Sequence, residues 1–211
     1  MLGVTVTVAP TFDPLEIADA KDHMRITDAD DDPYIESVID AVVDKVQEEL
    51  SIFLAAQTIT YTLDAFAGPR RDALSDFWYS DHPLGFDRQS PNVLLPFAPV
   101  NTISSIQYVD TAGTTQALSS ANYQLAAVTA PARIRPINAW PVTKPDYLEA
   151  VTITLTVGYA SAAAMPARLV HGLKLAVAHM YEHREPFAAF GLQDVPGLGS
   201  LLEDFRVRHN G

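Results

Sequence analysis

The spacing of hydrophobic residues changes twice along the chain, from helical to alternating and back. Between residues 35 and 53 apolar side chains recur every three or four positions, which predicts a long amphipathic helix. Its stripe comprises Ile35, Val38, Ile39, Val42, Val43, Val46, Leu50 and Phe53. Upstream, Asp13-Pro14 followed by Glu16 predicts a shorter helix from Pro14 to about Arg25. Because β-branched residues are mediocre helix formers, the long helix must depend on packing against another surface.

The middle of the chain has the two-residue period of half-buried strands. "TITYTL" and "VTITLTVGY" place an apolar side chain at every second position. Shorter strands are predicted at "NVLLPF", "SSIQYVD", "TTQAL", "YQLAAV" and "ARIRPI". The Asp110–Gly113 stretch reads as a hairpin turn between two of them. Antiparallel β-structure is therefore expected over roughly residues 57–160.

Helical spacing returns after Met165-Pro166. The predicted helix ends before Pro186, and a last short helix is expected from Ser200 to about Arg206. The apolar stripe of the longer one is Leu169, Val170, Leu173, Ala176, Val177, Met180 and Tyr181. The predicted fold class is α+β: a bundle of helices from both chain ends with an inserted antiparallel β-region. The expected divisions are residues 1–56, 57–160 and 161–211.

Composition narrows the function classes. The chain has 211 residues and a net charge of −12. Binding to free nucleic acid needs clustered Lys and Arg, so this charge argues against a nucleic-acid-binding protein. It contains no cysteine, which excludes disulfides, thiolate metal sites and cysteine nucleophiles. The N-terminus lacks the features of a signal peptide, and no apolar run approaches a membrane span. A soluble protein is expected.

An acidic turn before the long helix raises the possibility of a calcium loop. Asp28, Asp30 and Asp32 alternate as calcium ligands do. The loop would need glycine at its sixth position and glutamate at its twelfth, but Pro33 and Ile39 stand there. Helix initiation explains the same residues: Asp31 or Asp32 would cap the helix, with Pro33 at its first position. The sequence therefore predicts a helix start and no metal.

The segment "HMYEH" fits the H-x-x-E-H pattern of a zinc hydrolase. His179 and His183 could reach one metal from successive helical turns, with Glu182 as a base. A catalytic zinc also needs a third protein ligand, and no downstream motif supplies one. No nucleophile-elbow or S-x-x-K signature is present. Zinc hydrolysis is therefore the alternative to a non-enzymatic role without cofactors, and stoichiometric zinc lost on His179→Ala would support it.

A long irregular segment, Gly68–Pro91, carries several aromatic residues. Phe77, Trp78 and Tyr79 either fold back onto the sheet or form a contact surface for another subunit or a tail protein. An adhesion or carbohydrate-binding module built on the β-region is a further possibility, which glycan binding would reveal. The residues by themselves favour a binding or structural role.

The order of motifs resembles the head–tail connector (adaptor) proteins of long-tailed bacteriophages and related gene-transfer particles. "LEIADAKDHMRITDADDDPYI" is similar to their N-terminal signature, with Met24 where the family usually has leucine. "LLPFAPV", "SSIQYVD", "RIRPINAWP", "VTITLTVGY" and the helix ending in "AHMYEHRE" follow in the family's order. In that family the last segment belongs to a structural helix, and the position of His183 often holds asparagine.

The resemblance implies a ring, typically of twelve copies, at the head–tail junction of the virion. Such a ring is made in the host cytoplasm, binds the portal protein and a stopper or tail-completion protein, and lines the DNA exit channel without specific DNA binding. No membrane is involved. The family's C-terminal segment tends to dock on the portal, so Phe205, Arg206 and Arg208 are the candidate portal-facing residues. A further hypothesis is that an acidic channel keeps DNA from adhering during ejection.

Overall fold

The structure of the chain, a computed structural model, describes residues 3–66, 91–183, 191–192 and 195–207. The helices in these ranges are α1 (Ile17–Met24), α2 (Asp32–Leu50), α3 (Ala167–His183) and α4 (Leu198–Leu202). The strands are β1 (Val4–Val8), β2 (Gln57–Leu63), β3 (Val93–Leu95), β4 (Val100–Val109), β5 (Thr115–Leu118), β6 (Tyr123–Ala126), β7 (Ala132–Pro136) and β8 (Val151–Val157). The predicted α+β class is confirmed.

The four helices share one hydrophobic core. The stripe predicted for α2 is buried within the helix except at Val43, which is half-buried. Helix α3 contacts α1, α2 and α4. A Cβ atom on Gly172 would lie 2.8 Å from a methyl group of Leu202, so the missing side chain lets α4 approach α3 closely. Burial of these faces supplies the packing that the β-branched stripe of α2 requires.

The β-strands form two antiparallel sheets. The larger has the order β1-β2-β8-β4-β5, and the smaller has the order β3-β7-β6. Strands β2 and β8 pair without a register shift from Gln57 opposite Val157 to Leu63 opposite Val151. The four apolar residues of β8 are fully buried, and its threonines are half-buried. Both sheets contribute to a second hydrophobic core, which includes Phe97 and Ile134.

The two cores meet where the chain leaves α2. The Phe53 amide donates a hydrogen bond to the Ala98 carbonyl at 2.8 Å, and the Tyr159 amide donates one to Leu54 at 3.3 Å. Phe53 was predicted to belong to the helical stripe, but it lies beyond the end of α2 and packs in the β core. Gly158 lies against this junction with φ +91°, and a Cβ atom there would be 2.0 Å from the Ala55 carbonyl oxygen.

The helix boundaries and the N-terminal strand differ from expectation. Helix α1 begins at Ile17 and not at Pro14, because the extended backbone before it places Leu15 in the core at 3% exposure. Helix α4 begins at Leu198, two residues before the predicted start, and a 3₁₀ turn continues it to Phe205. Strand β1 was not predicted and adds an edge to the larger sheet. Within the described ranges, no helix combines the length and apolarity needed to cross a membrane.

Candidate functional site

Negative charge is concentrated in the N-terminal helices. Residues 1–50 contain 13 of the 26 acidic residues but only three of the 14 lysines and arginines. Four acids at successive four-residue spacings form the solvent-exposed acidic stripe of α2: Glu36, Asp40, Asp44 and Glu48. None of the ion pairs between described residues includes them. Like charges four residues apart destabilise a helix, so α2 keeps a continuous negative face at some cost in its own stability.

The acidic turn before α2 ties three helices together. The Tyr181 hydroxyl of α3 donates a hydrogen bond to Asp31, and the Lys21 ammonium of α1 pairs with Asp32 at 2.5 Å. Asp31 occupies the N-cap position but makes no capping hydrogen bond, and Pro33 is the second residue of α2. The prediction that an aspartate side chain caps this helix is therefore wrong for Asp31. The turn instead serves as a polar junction between α1, α2 and α3.

The C-terminal segment is bound to the end of α2. The Arg206 guanidinium donates to the Glu49 carbonyl at 2.8 Å, and the Val207 amide donates to the Leu50 carbonyl at 2.9 Å. The last carbonyls of a helix lack partners within it and form the negative end of its dipole. Arg206 supplies both a hydrogen bond and a positive charge at that position, and Val207 is 2% exposed. The chain is therefore fixed as far as Val207.

Phe205, a candidate portal-facing residue, also packs within the chain. Its half-buried side chain lies against the helical core, and the Arg168 guanidinium lies over its ring at 5.2 Å. Arg168 also pairs with Asp204 at 2.9 Å, an exposed contact of small energetic weight. Arg206 and Phe205 thus have structural contacts. Arg208 lies outside the described residues, as do Phe77, Trp78 and Tyr79.

The histidines of the zinc alternative lie at the end of α3. The rings of His179 and His183 stack with centroids 4.1 Å apart, and His183 Nδ1 lies 2.9 Å from the His179 carbonyl oxygen. Glu182 is exposed. Among the described residues, no three His, Cys, Asp or Glu side chains come together as a metal-binding group. The structure therefore gives the zinc alternative no third ligand within these ranges.

The β4–β5 hairpin is closed by one aspartate. Asp110 accepts hydrogen bonds from the Gln116 side chain and from the Thr114 and Ala112 amides, each at 2.9 Å. These hydrogen bonds, that from Gln116 foremost, hold the pKa of the Asp110 carboxyl below its usual range. The contribution of this carboxylate to stability is thus present above the ordinary aspartate pKa and is lost as pH falls through the lowered one. The predicted turn is confirmed.

A groove lies beside this hairpin, at the edge of the larger sheet opposite β1. It has a volume of about 280 Å³ and is lined by Tyr108, Leu118, Asn122, Asn138, Ala139, Trp140 and Pro141. The Trp140 indole stacks on Phe66 with ring centroids 4.5 Å apart. The groove contains aromatic and amide groups but no charged side chain, which suits contact with another uncharged surface.

These features define a mixed α+β protein with a helical core, two antiparallel sheets and an acidic helical face. Comparison with known proteins identifies which of them this chain resembles. A family model described as "Phage gp6-like head-tail connector protein" matches residues 15–71, about a quarter of the chain. The resemblance to head–tail connector proteins predicted from the sequence is thereby confirmed over these residues. No curated protein matches the chain.

Solved structures with the same fold come from gene transfer agent (GTA) particles, two of them from structures of the neck. The chain is 22% identical to one in "Neck of empty GTA particle computed with C6 symmetry", with a TM-score of 0.73, covering 99% of this chain and 98% of that one. A chain in "Virion of native gene transfer agent (GTA) particle" gives 23% identity, TM-score 0.72 and coverage of 100% and 99%. A chain in "Neck of native GTA particle computed with C12 symmetry" gives 23% identity and a TM-score of 0.69, covering 99% of this chain and 98% of that one.

Proposed function

We propose that this chain is a structural virion protein that forms a ring adaptor at the head–tail junction. The observation that carries the proposal is similarity over essentially the whole chain to proteins in GTA neck and virion structures, at TM-scores of 0.69 to 0.73. The match to the head-tail connector model over residues 15–71 supports the same role. The ring, of twelve copies in the virion, joins the portal protein to a stopper or tail-completion protein. It acts without catalysis or a cofactor.

In this proposal the helices of both chain ends form one bundle, and the inserted β-region gives the ring its second layer. Residues 1–56 and 161–211 supply the bundle, apart from β1, which joins the larger sheet, and residues 57–160 supply the insertion. The shared core of α1, α2, α3 and α4 supports that division. Phe77, Trp78 and Tyr79 are proposed to contact a neighbouring subunit or a tail protein.

The acidic stripe of α2 is the proposed lining of the DNA channel. Its four exposed carboxylates lie on one helix face, and a face of this charge repels DNA phosphates. DNA could therefore pass without adhering. The stripe has no neutralising partner among the described ion pairs, so its field extends into solvent over roughly a Debye length, ~8 Å at physiological salt.

The C-terminal segment is proposed to face the portal. In this proposal Arg206 stabilises the fold and Arg208 binds the portal. Arg206→Gln should lower the free energy of unfolding by about 1 kcal/mol, because the Glu49 carbonyl loses a charged donor at the end of α2. Arg208→Gln should leave stability unchanged and weaken binding to purified portal protein. Chemical denaturation and a portal pull-down measure the two effects. Unaltered portal binding by Arg208→Gln together with Phe205→Ala would refute the portal-facing assignment.

Native mass spectrometry of the purified chain at high concentration tests the proposed function against its alternative. A closed ring without bound metal is expected. A monomer that holds one zinc ion, released in His179→Ala, would replace the adaptor proposal with zinc hydrolysis. If the chain is monomeric and metal-free, the same measurement with portal protein present should show the chain bound to the portal, and absence of that complex would contradict the adaptor role.

A further inference from the structure

Strand β1 is an exposed, uncharged edge. Among the described strands it pairs with β2 alone, and the first charged side chain in the sequence is that of Asp13. Val6 and Val8 are 50% and 55% exposed. Val4 on the same strand packs against the β core, so these valines extend an apolar surface beyond the edge of the sheet. The outer backbone groups of the strand have no ladder partner among the described strands.

An edge of this kind is prone to pair with another chain. Proteins protect edge strands with lysine, proline, bulges or a covering segment. Here the pairing with β2 has one irregularity, between Val6 and Val8, but the strand itself carries neither charge nor proline. Its Val-Thr-Val-Thr-Val sequence has high β-propensity. Strand β1 therefore combines backbone donors and acceptors with two apolar side chains that a partner could bury.

The opposite edge of the same sheet has a groove beside it. Strand β5 is the other edge, and the groove of about 280 Å³ lies beside it. Residues 111–132 contain no charged side chain. Asn122 and Asn138 are exposed at the groove, and a side-chain amide can both donate to and accept from an open backbone edge. Trp140 and Pro141 offer apolar surface to the valines.

The charge of the chain decides what can occupy this groove. Two copies with a net charge of −12 repel each other, and a contact between uncharged surfaces adds no further like-charge repulsion at the interface. The β1 edge and the groove beside β5 are both uncharged, and they lie at opposite edges of one sheet. A convex patch that fits a pocket elsewhere on the same molecule produces a head-to-tail contact, which closes into a ring when the rotation permits.

We propose that β1 of one copy docks in the groove beside β5 of the next copy, with Val6 and Val8 against Trp140 and the asparagine amides on the strand's open backbone. This inference rests on the proposed ring and names its subunit contact. Each copy uses one β1 edge and one groove, so the contact is heterologous and both surfaces are buried in every subunit. The uncharged character of both surfaces follows from that arrangement.

Disulfide trapping tests the contact directly, because the chain has no cysteine of its own. The double variant Val8→Cys/Asn138→Cys, concentrated and oxidised, should give a ladder of covalent multimers on non-reducing gels. Val8→Cys and Asn138→Cys alone should each give at most a dimer, since one cysteine cannot extend a chain of links. A mixture of the two single variants should give mainly dimers that contain one copy of each, as a head-to-tail contact requires.

A second pair of variants guards against accidental cross-linking. Val6→Glu/Val8→Glu should reduce assembly at least tenfold, measured as the concentration of half-assembly, because it places two negative charges in every contact between neighbouring copies. Val128→Glu is the matched control: Val128 is wholly exposed on the β6–β7 turn, and its substitution should leave assembly unchanged. Thermal denaturation of each variant confirms that the fold is retained.

The outcomes separate this inference from the proposed function. A ladder from the double variant, with assembly lost in Val6→Glu/Val8→Glu, supports the contact. The contact is overturned, with the adaptor role intact, if the Val6→Glu/Val8→Glu variant still forms the ring of the native chain and the double cysteine variant gives no ladder. Absence of a ladder from a monomeric double variant at high concentration, with or without portal protein, also overturns it. Portal binding then judges the adaptor role on its own.

Discussion

Gly158→Ala is expected to remove a large part of the stability of the chain. The residue has φ +91°, and a Cβ atom would lie 2.0 Å from the Ala55 carbonyl oxygen and 2.9 Å from the Ala56 amide nitrogen. Those neighbours are backbone atoms that join α2 to β2, so they cannot move without separating the two cores. Strain of this kind with a backbone clash costs on the order of 4 kcal/mol, against a typical total of about 5–15 kcal/mol. Chemical denaturation of purified protein measures it.

Gly197→Ala provides the matched control for that result. Gly197 has φ +80°, yet no heavy atom lies within 4 Å of its added Cβ. Its substitution therefore introduces the left-handed strain without the clash and should cost about 1 kcal/mol. Equal losses in the two variants would show that the contact at Ala55 has no part in joining the cores. A much larger loss for Gly158→Ala locates the effect in that contact.

Reversal of the acidic stripe of α2 is expected to slow DNA ejection. In particles assembled with Glu36→Lys/Asp40→Lys/Asp44→Lys/Glu48→Lys, each copy loses four negative charges and gains four positive ones. Lysines that line a channel bind phosphates and release counterions, with strong dependence on salt. We expect slower ejection and more DNA retained in emptied particles, and both effects should decrease as salt is raised. Ejection rates that match the native particle would contradict the acidic-channel hypothesis.

The neutral variant of the same four positions separates charge reversal from loss of the acids. With glutamine or asparagine at each position, three repulsive i,i+4 contacts are removed, and the free energy of unfolding should rise by about 1 kcal/mol at low salt. Ejection should change far less than in the lysine variant, because neutral amides do not attract phosphates. A neutral variant as slow as the lysine variant would indicate a packing effect of substitution at α2.

The long regular elements were predictable because their patterns are local. The buried stripe of α2 and the alternation of β8 each extend over several turns or residue pairs, and the structure buries those positions. Strand β1 also alternates, in Val4–Val8, but all its residues from Thr5 onward are exposed, and its pairing with β2 joins residues at least 50 positions apart. The assignment of β3, β6 and β7 to a separate sheet depends on similar distant contacts.

The roles of single polar residues were less predictable. Asp31 precedes a helix as a capping residue does, but its carboxylate accepts a hydrogen bond from Tyr181, 150 positions later in the chain. Arg206 was assigned to an external partner, and its guanidinium binds the end of α2. Each local rule gives the right residue type at the right place, while the partner is set by how α2, α3 and the C-terminal segment pack. The spacing of acids along α2 would have identified its stripe, since every fourth position from Glu36 to Glu48 is acidic.

The shared helical core has a consequence for synthesis of the chain. Helix α2 ends at Leu50, while α3, which covers its apolar face, begins at Ala167. A ribosome that adds about 5–20 residues per second needs roughly 6–25 s to make the intervening segment. Throughout that interval α1 can cover part of the valine-rich face of the nascent α2, but the larger contact with α3 is missing. We therefore expect chaperone capture or premature association mainly before α3 emerges, and faster translation of the β-region should raise the soluble yield.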